Sequence, residues 1–246
     1  MNLETQKSLL PSYPRTPHLP YHPQPEDGDV VALDKDAASL FTIDAIYVEE
    51  KVDGANCGMM LFEDNPIIRN RDHILKKGYL KETPAKQQFR PLWNWFYDNK
   101  TKFEKLNSEF GRPVGVYGEW LFAVHGIIYD QLPSHFLAFD IYDPEARSYL
   151  DTASTRRLLE KTGFPLVPLL KKGKIESYEE LELFCKEPST FSTEKREGVY
   201  IKQSDGETIT KRFKMLRPDY KQGFRWNQDK LNKQVLQFPI LFADQK

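Results

Sequence analysis

The segment Glu50-Lys51-Val52-Asp53-Gly54-Ala55-Asn56 contains residue types that could carry out covalent chemistry. Lys51 ends an apolar run and is followed by Asp53-Gly54, a pair that is typical of a tight turn. A lysine in this position can be aimed into a cleft, and its neutral amine is a nucleophile once desolvation or nearby positive charge makes that form accessible. The same pattern also fits a plain surface hairpin, and K-x-D-G occurs by chance in roughly 5% of chains of this length. The motif alone therefore suggests a nucleophilic lysine without establishing one.

Five further motifs follow Lys51, and each places charged or aromatic side chains in a segment that favours a β-strand. They are Arg69-Asn70-Arg71, Tyr117-Gly118-Glu119-Trp120, the aromatic stretch 136–142, Glu197-Gly198-Val199-Tyr200-Ile201-Lys202 and Lys211-Arg212-Phe213-Lys214. Transfer of an adenylyl group from ATP requires a nucleophile, cations for the triphosphate, carboxylates that hold Mg²⁺ and an aromatic or apolar surface for the base. The series supplies all four.

In this order, the motifs resemble those of the covalent nucleotidyltransferase superfamily, which includes ATP-dependent ligases and mRNA capping enzymes. The resemblance extends from about residue 45 to about residue 215. Within the superfamily the chain is most similar to the ATP-dependent RNA ligases, in particular the phage RNA-ligase-2-like group. This resemblance implies an α+β fold, a nucleotidyltransferase (ATP-grasp-like ligase catalytic) domain of antiparallel sheets flanked by helices. It also implies ATP and Mg²⁺ (or Mn²⁺) as cofactors.

The resemblance implies roles for the residues around the lysine. Lys51 would attack the α-phosphorus of ATP and carry AMP as a phosphoramidate. Glu50 would lie beside the adenine, and Asp53-Gly54 would make the turn that presents Lys51. Asn56 favours RNA as substrate, because DNA ligases and capping enzymes usually carry arginine at that position, whereas RNA ligases of this group carry asparagine.

The later basic and aromatic positions would bind the rest of the nucleotide. Arg71 would contact the ribose or the AMP phosphate, and Phe139 would stack on adenine. Lys202 and Lys214 would neutralise phosphates. Lys214 belongs to the last motif, Arg212-Phe213-Lys214. The first basic position of the last motif is usually lysine, so here Arg212 and Lys211 are competing candidates for it.

Two glutamates would serve the metal. Glu197 would help to hold Mg²⁺, and Glu119 would contact the ribose or a metal-bound water. The five histidines have no spacing typical of metal ligands. Three other functions are compatible with the motifs: a DNA ligase or capping-type nucleotidyltransferase, a catalytically silent nucleotide- or RNA-binding protein, and adenylylation of a different acceptor.

The sequence also predicts the elements that position these residues. Strands are predicted at 45–52, 57–62, 67–71, 114–121, 136–142, 198–203 and 208–215, with the second as the return strand of a hairpin closed by Asp53-Gly54. One or two helices are predicted in 84–110, and single helices in 152–162 and 177–185, the last opened by a capping box at Ser177 and Glu180. The last two strands are predicted to form a hairpin.

The chain is predicted to consist of a proline-rich N-terminal arm, residues 1–44, and a catalytic domain, residues 45–246, that ends in a basic tail. Six prolines between residues 11 and 25 exclude a helix there, and 28–38 reads as turn-like. We expect no separate accessory domain, and hence a possible separate protein partner in its place. The arm would cover the nucleotide site or bind substrate.

The composition of the chain limits how it can bind nucleic acid and where it can be located. Because the net charge of the 246 residues is −1, nucleic acid has to bind to a local patch. Residues 207–233 carry eight basic and three acidic residues with four interleaved aromatics, a composition suited to RNA ends, duplex or tRNA-like. Two cysteines without metal spacing, no membrane-length apolar run and no signal peptide predict a cytoplasmic (intracellular) protein without membrane contact.

Overall fold

The computed structural model describes residues 1–20, 29–77, 84–221, 223–226 and 231–237. The strands in these ranges are β1 (Ile46–Lys51), β2 (Ala55–Phe62), β3 (Asn65–Asn70), β4 (Gly115–Trp120), β5 (Phe136–Asp143), β6 (Ser148–Tyr149), β7 (Leu169–Lys172), β8 (Gly198–Ser204) and β9 (Ile209–Leu216). The helices are α1 (Leu3–Leu9), α2 (Asp34–Ala38), α3 (Pro84–Gln87), α4 (Arg90–Asp98), α5 (Lys100–Phe110), α6 (Thr152–Thr162) and α7 (Tyr178–Lys186). None of them is long and apolar enough to cross a membrane.

The nine strands form two antiparallel sheets, which confirms the predicted α+β class. One sheet has the order β7-β1-β8-β9 and the other the order β3-β2-β4-β5-β6. Helices α4, α5 and α6 supply buried side chains to the core of the five-stranded sheet, and α7 supplies them to the core of the four-stranded sheet. The predicted β8–β9 hairpin is confirmed, with Lys202 opposite Arg212.

The predicted hairpin between β1 and β2 is wrong, because these strands belong to different sheets. Strand β1 pairs with β7 and β8, while β2 pairs with β3 and β4. Residues 52–54 therefore cross from one sheet to the other, and we call them the connector. Gly54 is required for close approach rather than for a turn, because a Cβ there would lie 2.6 Å from the Trp120 carbonyl oxygen.

The predicted helices are confirmed with small changes. Residues 84–110 form three helices rather than one or two. Helix α6 begins after Asp151, whose carboxylate accepts hydrogen bonds from two backbone amides, and ends at Gly163 in the left-handed region at φ 80°. Helix α7 begins after Ser177, whose hydroxyl accepts from the Glu180 amide as the capping box predicts.

The N-terminal arm packs against the rest of the protein along its described part. Leu10, Tyr13 and Leu19 are buried in the cores of the sheets. The Lys214 amide donates to the Pro17 carbonyl, and the Leu19 amide donates to the Lys214 carbonyl, so the arm pairs with β9 at one parallel bridge. Residues 11–20 contain no helix, as predicted, whereas the turn-like region contains α2, held by a buried alanine. Residues 21–28, including two of the six prolines, lie outside the described residues.

Candidate functional site

A cavity of about 380 Å³ is lined by residues from both sheets and from the arm. Eight of the predicted site residues line it: Glu50, Lys51, Asn56, Arg71, Glu119, Phe139, Glu197 and Lys214. The other four, Asp53, Gly54, Lys202 and Arg212, are not among its lining residues. The arm contributes Tyr13, Arg15, Thr16, Asp29 and Val30. The structure thus brings most of the predicted site together, and part of the arm forms one wall of it.

Lys51 points into this cavity from the end of β1. Its ammonium nitrogen lies 2.6 Å from Glu197 Oε1, and its side chain is 22% exposed while that of Glu197 is 3% exposed. Burial lowers the pKa of Lys51, but Glu197, Glu119 and Asp53 outweigh it, so the pKa lies above the ordinary value. The amine is therefore protonated in this state. It becomes a nucleophile only when ligand binding offsets these negative charges.

The two glutamates near Lys51 are held in a poorly solvated site. Burial raises the pKa of Glu119 to about 7 and raises that of Glu197 as well, against the opposing effect of Lys51. Glu197 Oε2 is buried and has no hydrogen-bond partner in the described protein. Within the described ranges no cluster of three or more His, Cys, Asp or Glu side chains could hold a metal by itself. Two carboxylates with a free oxygen fit Mg²⁺, which usually keeps waters and substrate phosphates as its other ligands.

Replacing Glu119 with glutamine should make the stability of the protein less dependent on pH. Because the pKa of Glu119 is about 7 in the folded protein and about 4.3 in an unfolded chain, the protonated acid stabilises the fold, and this contribution is lost as pH rises through about 7. The amide resembles the protonated acid at every pH. The urea midpoint of Glu119→Gln, compared with wild type, should therefore rise between about pH 5 and about pH 8. A constant difference over that range would contradict the assignment.

Two aromatic rings face each other at the cavity wall. Phe139 and Tyr200 are nearly parallel, with an interplanar angle of 17° and centroids 6.5 Å apart. Both rings line the cavity, so each offers a flat apolar surface for a planar base. The sequence prediction named Phe139 but missed Tyr200. Strand alternation from Lys202 would have placed Tyr200 on the same face of β8.

Lys202 and Arg212 lie behind Phe139 in a buried ion-pair network. The Lys202 ammonium contacts Glu49 Oε2 at 2.6 Å and Asp140 Oδ1 at 2.8 Å, and its side chain is fully buried. Arg212 donates to Asp140 Oδ2 at 3.0 Å. Lys202 thereby joins Glu49 of β1 in one sheet to Asp140 of β5 in the other, and Arg212 joins β9 to the same aspartate. A phosphate role for either cation would require it to leave these partners.

The basic residues of the last motif lie on two opposite faces of β9. Arg212 and Lys214 share one face, as expected for alternate residues of a strand. Lys211 lies on the other face, where it donates to Asp36 and Ser39. Lys214 lines the cavity and its ammonium lies 3.3 Å from Asp29 Oδ1. Of the three cations, Lys214 is therefore the one placed to meet a phosphate.

Glu50 and Asp53 are held by loops that the sequence prediction missed. Glu50 is buried and accepts hydrogen bonds from the Ser189 hydroxyl at 2.5 Å and the Thr190 amide at 2.9 Å. Asp53 Oδ2 accepts from the amides of Gly126 and Ile127, at 2.5 and 2.9 Å. These loops have no pattern of their own in the sequence, since their function depends on a partner more than 70 residues away.

The predicted basic stretch 207–233 is largely neutralised by acids. Lys211, Arg212, Lys214, Arg217 and Arg225 pair with Asp36, Asp140, Asp29, Asp219 and Glu194, in that order. Four of these acids lie outside the stretch, and they offset most of its excess positive charge. Lys221 and Lys233 remain as cations without an ion pair of 4 Å or less among the described residues, and Lys230 lies outside those residues.

Comparison with known proteins agrees with this geometry. A family model described as RNA ligase matches residues 44–216. A variant of the Naegleria gruberi RNA ligase in its apo form has a TM-score of 0.60 at 20% identity, covering 89% of this chain and 62% of that one. Another variant, with ATP and Mn, has a TM-score of 0.53 at 21% identity, covering 73% and 52%. The same ligase with PPi has a TM-score of 0.54 at 20% identity, covering 73% and 52%.

The chain spans about half to three fifths of the length of these solved ligases. No curated protein matches it. The resemblance to RNA ligases predicted from the motifs is confirmed, while the phage RNA-ligase-2-like subgroup stays a prediction. The matched segment contains Lys51, Glu119, Glu197 and Lys214, which meet in the cavity, and on this evidence the chain belongs to the RNA ligase family.

Proposed function

We propose that the protein is an ATP-dependent RNA ligase that joins 5′-phosphate and 3′-hydroxyl ends through a covalent lysyl-AMP on Lys51. The observation that carries this proposal is the contact between the Lys51 amine and Glu197, 2.6 Å apart in a cavity that Glu119 and Lys214 also line. A buried nucleophile, two carboxylates and a phosphate-binding cation are the groups that adenylyl transfer requires.

In the first step, the neutral Lys51 amine attacks the α-phosphorus of ATP. An N–P bond forms, the P–O bond to pyrophosphate breaks, and the lysine proton leaves, with Glu197 placed at 2.6 Å to take it. The 5′-phosphate of RNA then attacks the same phosphorus and frees Lys51. In the last step a 3′-hydroxyl attacks the RNA 5′-phosphorus and AMP leaves.

Mg²⁺ or Mn²⁺ would be held by Glu197, with Glu119 contacting it directly or through water. The metal supplies electrostatic stabilisation of the phosphoryl oxygens. The free Oε2 of Glu197 and the raised pKa of both acids support this assignment, since a cation compensates two poorly solvated carboxylates. A Naegleria gruberi RNA ligase variant has been solved with ATP and Mn.

RNA is the proposed polynucleotide because of the family and of Asn56. Asn56 lies opposite Glu119 in the β2–β4 pair and lines the cavity, so its side chain is placed to contact the nucleotide. Duplex or tRNA-like ends, a separate protein partner and an intracellular location stay predictions. Both cysteines are buried and free, which is compatible with reduced thiols.

The decisive experiment incubates the protein with Mg²⁺ and α-³²P-ATP and follows the label on a denaturing gel. We expect a labelled protein band, and then transfer of the label to 5′-phosphorylated RNA in preference to nicked DNA. A joined product requires a 3′-hydroxyl end. Without added polynucleotide, the label should stay on the protein.

Other outcomes identify the competing functions. A label from GTP but not ATP would support a capping-type enzyme, and transfer to nicked DNA alone would support a DNA ligase. A labelled protein that transfers AMP to no polynucleotide would support another acceptor. Absence of any label, from folded protein shown by mass not to carry AMP already, would support a silent binding protein.

Replacing Asp29 with asparagine should lower the KM for ATP. Asp29 places a carboxylate on Lys214 inside the cavity, and the incoming triphosphate competes with this carboxylate for the ammonium. The two side chains are 18% and 23% exposed, so solvent still screens this pair in part; a contribution of about 1 kcal/mol lowers KM by about two- to fivefold. Asp36→Asn, which unpairs Lys211 on the opposite face, is the matched control and should leave KM unchanged. A higher KM in Asp29→Asn would show that Asp29 assists binding.

A further inference from the structure

A short segment beyond the family match packs against the loop that holds the connector. Residues 231–237, which we call the C-terminal strap, pair with residues 122–132: the Val124 amide donates to Asn232, and the Gln234 amide donates to Phe122. The family model ends at residue 216, so the strap lies outside the segment that it matches. The strap therefore adds to this protein a contact that the matched segment does not contain.

Gln234 is the buried residue of the strap, and both polar atoms of its side chain form hydrogen bonds. It is 5% exposed, its Oε1 accepts from the Tyr129 amide at 2.8 Å, and its Nε2 donates to the Ile127 carbonyl at 2.7 Å. One amide group thus fixes two points of the loop formed by residues 126–129. Because burial of an unpaired amide or carbonyl is costly, the loop conformation and Gln234 depend on each other.

The same loop holds the connector next to the nucleophile. The Asp53 amide donates to the Tyr129 hydroxyl at 2.7 Å, and Asp53 Oδ2 accepts from the Gly126 and Ile127 amides. Asp53 is two residues from Lys51, and its backbone and its side chain are both tied to the loop. The link therefore runs from Gln234 to Asp53 through residues Tyr129 and Ile127, and its four contacts are hydrogen bonds of 2.7 to 2.9 Å.

We propose that Gln234 is a positioning residue for Lys51, which it serves by holding the 126–129 loop and, through that loop, the Asp53 connector. This inference rests on the proposed lysyl-AMP chemistry. A nucleophile needs its reacting atom within a narrow range of positions, and small displacements lower the rate without lowering substrate affinity in proportion. The expected signature is therefore a slower chemical step at an unchanged KM.

The test measures the single-turnover rate of lysyl-AMP formation at saturating ATP in Gln234→Met, which keeps the side-chain length and removes both hydrogen bonds. We expect a rate about tenfold lower, with KM for ATP unchanged within about twofold. Tyr129→Phe removes the hydroxyl that meets Asp53 and should slow the same step. Both single variants interrupt the same link between Gln234 and Asp53. The double variant should therefore be little slower than the slower of the two single variants. Val235→Ala, on the exposed side of the strap, is the control and should match wild type.

Two outcomes overturn the inference. A lower melting temperature in Gln234→Met with an unchanged rate per folded molecule would assign Gln234 to stability alone. Rate losses that multiply in the double variant would show that Gln234 and Tyr129 act separately. Hydrogen exchange of the Asp53 and Ile127 amides, which we expect to be faster in Gln234→Met than in Val235→Ala, needs no activity. Hydrogen exchange therefore tests the link between Gln234 and Asp53 by itself. The proposed function is tested separately, by whether α-³²P-ATP labels the wild-type protein.

Discussion

A Lys51→Arg variant should form no covalent AMP adduct while it keeps the wild-type fold. The guanidinium stays protonated at any pH that the protein tolerates, so it offers no lone pair to the α-phosphorus. It still supplies a cation for Glu197, which in the wild type lies 2.6 Å from the lysine nitrogen and is 3% exposed. Adduct formation should therefore fall by about 10⁴-fold or more, whereas the melting temperature changes little. The α-³²P-ATP gel and a thermal melt measure the two effects.

The same variant separates the nucleophile from the rest of the site. RNA that already carries a 5′-adenylate needs no lysine nucleophile, because only attack by the 3′-hydroxyl remains. Lys51→Arg should therefore join this RNA at a rate much closer to that of wild type. If the variant instead retains a labelled adduct, another side chain is the nucleophile and the role of Lys51 is wrong. Lys51→Ala repeats the test without the replacement cation and should also lose adduct formation.

The strands and most helices could be predicted because their signals are local. The caps at Asp151 and Ser177 and the stop at Gly163 lie within a few residues of the helices that they end. The pairing of β1 could not be predicted in this way. It is a central strand with almost continuous burial, so no alternation marks a solvent face, and its neighbours β7 and β8 lie more than 110 residues away along the chain.

The site could be predicted only as far as its motifs reached. Lys51, Glu119, Glu197 and Lys214 meet in the cavity, because the ordered motifs that carry the chemistry lie on strands of both sheets that border it. The groups that hold them, such as the Ser189 hydroxyl on Glu50, are ordinary loop residues whose partners are fixed only by the tertiary fold. Charge is subject to the same limit. The basic stretch 207–233 suggests a nucleic-acid surface until the structure shows which distant acids neutralise it.

Replacing Lys202 with methionine should destabilise the protein by about 3 kcal/mol, the lower end of the range for breaking a buried ion pair, because it removes the cation that two buried carboxylates share while Arg156 still pairs with Glu49 and Arg212 with Asp140. Lys202 is fully buried between Glu49 and Asp140, and one residue each of β1, β8 and β5 meets at this point. A residue that only neutralised phosphate would behave differently: its loss would raise KM for ATP and leave stability unchanged. Urea unfolding of the ligand-free protein distinguishes the two roles.

Two further variants make this prediction independent of how well Lys202→Met folds. Lys211→Met, one residue from the cross-strand partner of Lys202, removes a half-exposed cation and should cost less than about 1 kcal/mol. Adding Asp140→Asn to Lys202→Met removes one of the two carboxylates left behind, so the double variant should be more stable than the sum of the single losses predicts. Equal losses for Lys202→Met and Lys211→Met would show that the buried network does not join the sheets. If the losses differ as expected, Lys202 holds the two sheets together, and Lys214 is the basic residue of these two motifs that lines the cavity.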